Sequence, residues 1–119
     1  DFTDWALDYL GQLSRLCRDA LAKPGSRSKD FQEINLLAHE LRGQGGTFGY
    51  PLITVFAKMV FDITYEGCRD DDNAVEVVKA HIDAMRAVIR EKVSGDGGEV
   101  GQALLKSLEA VIKKRPQTP

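Results

Sequence analysis

Apolar residues recur along most of the chain at helical spacing, and no segment sustains the alternation of a half-buried strand. In the first segment Phe2, Ala6, Leu10, Leu13, Cys17 and Ala20 fall on one face, with Asp4, Asp8, Arg15 and Asp19 on the other. That division predicts an amphipathic helix. Lys23-Pro24-Gly25-Ser26 ends it, because proline has no amide hydrogen to donate and glycine frees the backbone. A second helix is predicted from Ser28 or Asp30, both suited to capping, and it runs to Gly49-Tyr50. Its core stripe is Phe31, Ile34, Ala38, Leu41, Gly45 and Phe48. At about 100° per residue the opposite stripe is Gln32, Leu36, His39, Gly43 and Gly46, so His39 is predicted to face solvent.

Pro51 suits the first turn of a third helix. Leu52, Val55, Phe56, Met59 and Ile63 point inward there, Thr54, Lys58 and Tyr65 point outward, and Glu66-Gly67 marks the end. The run Asp70-Asp71-Asp72-Asn73 precedes a fourth helix, with Asn73 and Glu76 at the spacing of an N-cap and its N3 partner. Its carboxylates read as capping and dipole complementation rather than a calcium loop, whose spacing and glycine are missing. Val75, Val78, Ile82, Met85, Ile89 and Val93 form the fourth core stripe. Ser94 to Gly98 is a connector, and a fifth helix carries Val100, Leu104, Leu108 and Val111. It stops at Lys113-Lys114-Arg115-Pro116, where the basic residues complement its dipole. The expected fold is all-α: an antiparallel up-and-down four-helix bundle with an additional N-terminal helix, as a single domain over 1–119.

Composition narrows the function. The 119 residues carry 16 Lys and Arg against 18 Asp and Glu, interspersed along the chain, so no basic stripe for nucleic acid is present. Cys17 and Cys68 lie far apart, which fits a reduced compartment and a packing role for Cys17. No apolar run approaches a membrane span. The expected class is a soluble, cytoplasmic domain, and the opening DFTD, without Met, reads as a piece of something longer.

The second helix has an odd feature. His39 stands just before Gly43, Gly45, Gly46 and Gly49, and each glycine inside a helix costs about 0.8–1 kcal/mol relative to alanine. Such a composition favours something other than stability, namely clearance around His39 for another protein. Leu36 lies exposed one turn before His39, and Arg42 is three residues on, within reach of a group attached to the imidazole. His81 competes weakly: it falls at the edge of the fourth core stripe, with Met85 rather than glycine one turn later, and reads as a structural boundary residue. The runs GQGGTFG and GDGGEVG follow no predicted strand and lack GK[ST], so they are not read as nucleotide loops. No metal-ligand spacing is visible, and Trp5 and Tyr9 read as packing residues.

His39, Leu41, Arg42, Gly43 and Gly49 match a signature of His, a hydrophobic residue two positions on, a basic residue at three, Gly at four and Gly at ten. With the five-helix pattern around it, the chain resembles the histidine-containing phosphotransfer (HPt) domains of two-component phosphorelays. The resemblance implies that His39 is the phosphoacceptor through Nε2 and that Arg42 steadies the phosphoryl group. Gly43 would let a receiver domain approach, within a docking surface of Gln32, Leu36, Gly43 and Gly46. The implied partners are response-regulator receiver domains, which would supply Mg2+, or a sensor histidine kinase. The chain itself would carry no metal or other cofactor, act as a monomer and be a phosphoryl carrier rather than an enzyme. Two departures stand out: Gln44-Gly45-Gly46 follow the first signature Gly, and residues 51 to 66 hold no glutamine to face the phosphate, leaving Phe61 to extend an apolar surface. The alternatives are a helical adaptor that is never phosphorylated, and the HPt portion of a larger sensor or chemotaxis kinase.

Overall fold

A computed structural model describes residues 2–91 and 98–113, and every regular element among them is helical. Helix α1 spans Phe2–Ala22 and buries Ala6, Leu10, Leu13, Cys17 and Ala20, the stripe its periodicity predicts. Burial pushes the Cys17 thiol up to about 12, as a packing role requires. A 3-10 turn over Pro24–Ser26 leads into α2, Arg27–Gly45. Helix α3 runs from Pro51–Ile63, α4 from Asp72–Arg90 and α5 from Gly98–Lys113. Among the described residues, no helix is long and apolar enough to cross a membrane.

Helix α1 packs against α2 and α4, and α3 packs against the same two, so the four close a ring around the core. At its centre Phe56, Leu10, Leu13, Ile34, Leu41, Ile53, Ile82 and Met85 are fully buried. Helix α5 packs chiefly on α4, through Leu108 with Leu104 and Leu105 beside it. Helix α1, expected to cap or extend the bundle, is thus in contact with two helices, α2 and α4. Helix α1 offers five buried positions to two neighbours, whereas Leu108 is the single buried apolar side chain described in α5.

Several local expectations differ from the structure, among them the end of α3, which falls at Ile63 rather than at Glu66-Gly67. Helix α2 stops at Gly45, four residues early: the Tyr50 amide returns to the Gly45 carbonyl at 2.8 Å, and Gly49 takes φ +89° in the reversal. Phe48 thus leaves the core stripe, stands 53% exposed and stacks on Phe2 at 4.8 Å between ring centroids. On α3 the buried set is Leu52, Ile53, Phe56, Ala57 and Val60, a face broad enough to meet both α2 and α4, which turns Val55 outward. The cap of α4 is Asp71, whose carboxylate accepts the Ala74 amide at 2.8 Å, rather than Asn73. Val93, residues 94 to 97 of the connector, the Val100 side chain and Lys114-Arg115-Pro116 lie outside the described residues.

Arg27 clamps one end of the ring. It is buried, and its Nε donates to the Ala20 carbonyl at 2.6 Å while Nη1 donates to the Asp70 carbonyl at 3.1 Å. Its Nη2 pairs with the Asp72 carboxylate. The guanidinium thus satisfies a C-terminal carbonyl of α1 and ties it to the start of α4, a use that the planar fork of arginine suits.

Candidate functional site

Helices α2 and α3 run antiparallel with the most extensive contact among the described residues, and side-chain-to-backbone bonds fix their register. Toward the start of α2, Asn35 Nδ2 donates to the Phe61 carbonyl at 2.9 Å and to Thr64 Oγ1 at 3.2 Å. Thr64 Oγ1 in turn donates to the Val60 carbonyl at 2.8 Å. Toward the end, Thr54 Oγ1 donates to the Arg42 carbonyl at 3.1 Å. Gly45 makes that approach possible, because a Cβ there would stand 2.8 Å from Thr54 Oγ1 and 2.9 Å from its backbone nitrogen. One predicted glycine therefore serves helix packing.

His39 lies between these two staples and is exposed. Its imidazole is 5.7 Å from the Phe61 ring, tilted by 40°, and the Arg42 guanidinium carbon sits 5.8 Å from the centroid of the same ring. Phe61 is thus a wall shared by imidazole and cation. Leu36, one turn before His39, is 65% exposed, and Tyr65 of the α3 end is 58% exposed. Gln32 is exposed and lines a shallow 80 Å³ hollow with Thr64 and Tyr65. Gly43 opens onto free space among the described residues, where a Cβ would meet nothing within 4 Å. Gly46 is exposed too, but it stands in the turn beyond α2, within ordinary contact of Thr54. Clearance beside His39 within the helix is left to Gly43 alone. Lys58 on the outer face of α3 is paired with Asp62 at 2.6 Å.

The site thus joins Gln32, Leu36, His39, Arg42 and Gly43 on α2 with Phe61 and Tyr65 from α3 and the residues after it. Asn35 and Thr54 hold the register, and the sequence gives no sign of either role, because their partners lie 26 and 12 residues away.

A second aromatic surface lies between α1 and the end of α2. Phe2, Trp5, Glu40, Gln44 and Phe48 line an open cavity of about 550 Å³. Trp5 packs on Tyr9 at 4.3 Å, and the Tyr9 hydroxyl donates to the Glu40 carboxylate, which holds the phenol above its usual range. The packing role expected for Trp5 and Tyr9 fits this arrangement.

His81 is deeper than a boundary position. It is fully buried, edge-on to Phe56 at 6.4 Å, because α4 is packed against three helices rather than one. Its Nδ1 lies 2.7 Å from the Val77 carbonyl, so that nitrogen carries the proton and donates, and Nε2 has no partner among the described residues. Burial holds its pKa below the ordinary imidazole value, against the weaker opposing pull of the Val77 bond. The unfolded chain therefore takes up a proton that the folded core refuses. Stability contributed by neutral His81 is full above about pH 6.5 and is lost as pH falls from there toward the lower folded-state pKa. Urea unfolding at pH 7.5 and pH 5.5 is expected to show this as a lower midpoint at the acid pH. In His81→Leu the part of that slope due to this group should vanish.

No protein-family model, curated protein or solved structure matches the chain.

Proposed function

We propose that the chain is a histidine phosphotransfer protein, built on an antiparallel four-helix bundle with α5 appended. In this reading His39 accepts a phosphoryl group from a receiver-domain aspartate or a sensor kinase and relays it to another receiver in the cytoplasm. The observation that carries it is the grouping on one rigid helix pair: an exposed imidazole, a cation one turn away, and an apolar, glycine-cleared approach. Phosphoryl transfer asks little covalent work of a protein beyond a positioned nucleophile and charge stabilisation. With its proton on Nδ1, the imidazole directs the Nε2 lone pair at phosphorus. The N–P bond forms as the phosphorus–oxygen bond of the acyl phosphate breaks, and the aspartate leaves as carboxylate with that electron pair. The Nδ1 proton can then pass to water. Arg42 faces the charge that the phosphoryl group brings, and Mg2+ belongs to the receiver. Leu36 and Tyr65 supply the apolar centre and Gln32 part of the polar rim of a transient interface.

A phosphotransfer profile tests the reading. The chain, mixed in turn with each phosphorylated receiver domain of its organism, is expected to drain label rapidly from one or a few. The transferred phosphate should be acid-labile and base-stable, as a phosphoramidate is and an acyl phosphate is not. No transfer from any receiver, and none from the kinases, would favour an adaptor that uses the Leu36–Tyr65 surface without phosphorylation.

A further inference from the structure

We propose that Phe61 is a positioning residue for the phosphorylated state: its ring keeps the Arg42 guanidinium beside the His39 imidazole and shields one side of the N–P bond from water. The inference rests on His39 being the phosphoacceptor and adds a residue to that site.

The geometry is specific. Imidazole and guanidinium stand 5.7 Å and 5.8 Å from one ring, so the ring is the surface on which both are arranged. Cation and aromatic face attract one another at that separation. Both ends of the arrangement are also anchored from the opposite helix. Asn35 on α2 holds the Phe61 backbone at 2.9 Å, and Thr54 on α3 holds the Arg42 backbone at 3.1 Å. Neither residue can slide along the seam without breaking a bond. A long arginine side chain on a helix surface otherwise samples many rotamers, and restricting it lowers the ordering cost of meeting a phosphoryl group. Phe61 also has no group to donate to the phosphate, so its effect passes through Arg42 and through water exclusion. Hydrolysis of the phosphorylated ring bonds a water oxygen to phosphorus and breaks N–P. The ring nitrogen leaves with the electron pair, and the water proton passes to the products. The Phe61 ring obstructs one approach for that water.

The test uses the whole chain and a small donor, phosphoramidate, so that no partner docking enters. The half-life of phosphohistidine is followed by 31P NMR, and the Arg42 Nε–Hε resonance is followed in the unphosphorylated protein. Phe61→Leu is expected to shorten the half-life about threefold to tenfold and to remove the ring-current shift of the Arg42 resonance. Arg42→Gln, which leaves the ring in place, should shorten it similarly, and the double variant should decay no faster than the quicker single one, as residues acting through one another do. Phe61→Tyr should restore both readouts. A wild-type half-life in Phe61→Leu, or an Arg42 resonance that does not move, overturns the positioning role while leaving the relay intact. A wild-type chain that takes up no phosphoryl group on His39 overturns the relay reading and this role with it.

Discussion

Phosphoryl uptake in a His39→Gln variant is expected to fall to background with either a phosphorylated receiver or phosphoramidate, while the fold is retained. The amide of glutamine is close to histidine in reach, but its nitrogen lone pair is delocalised into the carbonyl and does not attack phosphorus. The imidazole is exposed and packs at a tilt on Phe61. Surface substitutions of this kind change stability by about 0.5 kcal/mol or less, so the urea midpoint should hardly move. His81 provides the internal control. It is fully buried with Nε2 turned into the core, so it offers no nucleophile to a partner. His81→Leu should therefore keep full uptake on His39, although it alters the pH dependence of stability. Label remaining on His39→Gln would move the phosphoacceptor elsewhere and remove the basis of the relay reading.

The contrast between the two histidines indicates what the sequence can and cannot convey. Periodicity put His39 opposite Phe31, Ile34, Ala38 and Leu41, and all four of those side chains are buried. It placed His81 only at a stripe's edge, because a helix wheel assumes one partner face and α4 meets three helices. The same assumption turns Val55 inward, although its side chain stands exposed. Periodicity carries α2 past Gly45 and so takes Phe48 into the core, whereas the helix ends three residues before it. What ends it is the return of the Tyr50 amide to Gly45 and the left-handed Gly49, a turn whose position periodicity does not register. Asn35, Thr54 and Arg27 were not legible at all. Their value lies in partners 7 to 45 residues away, and no local pattern announces a pairing of that kind. The glycines fall between these cases: their abundance was visible, and their division of labour was not.

That division yields the most discriminating pair of substitutions, the same leucine placed two residues apart. At Gly43 a Cβ meets nothing within 4 Å and the backbone is helical. Gly43→Leu should therefore raise stability by about 0.6–1 kcal/mol, the difference in helix propensity. At Gly45 a Cβ would lie 2.8 Å from Thr54 Oγ1, 2.9 Å from the Thr54 nitrogen and 3.0 Å from Ile53 Cβ. Two of those atoms belong to the backbone or stand next to it, so the neighbour cannot yield by a rotamer change and α3 must move. The Thr54 bond to the Arg42 carbonyl would be lost with it. Gly45→Leu is expected to cost about 3 kcal/mol, the upper end of overpacking. Function should divide the other way. Gly43→Leu sets a branched side chain one turn from His39, where a partner must approach, so transfer from a receiver should slow by at least about tenfold, or 1.4 kcal/mol. Uptake from phosphoramidate, which needs no docking, should stay near wild type. In Gly45→Leu uptake from phosphoramidate should fall only with the folded fraction, because His39 itself is untouched, whereas transfer from a receiver should also suffer from the shift of α3. Urea midpoints and transfer rates with both donors check all four outcomes. A Gly43→Leu chain that drains its receiver at the wild-type rate would show that the open space beside His39 is not where the partner sits.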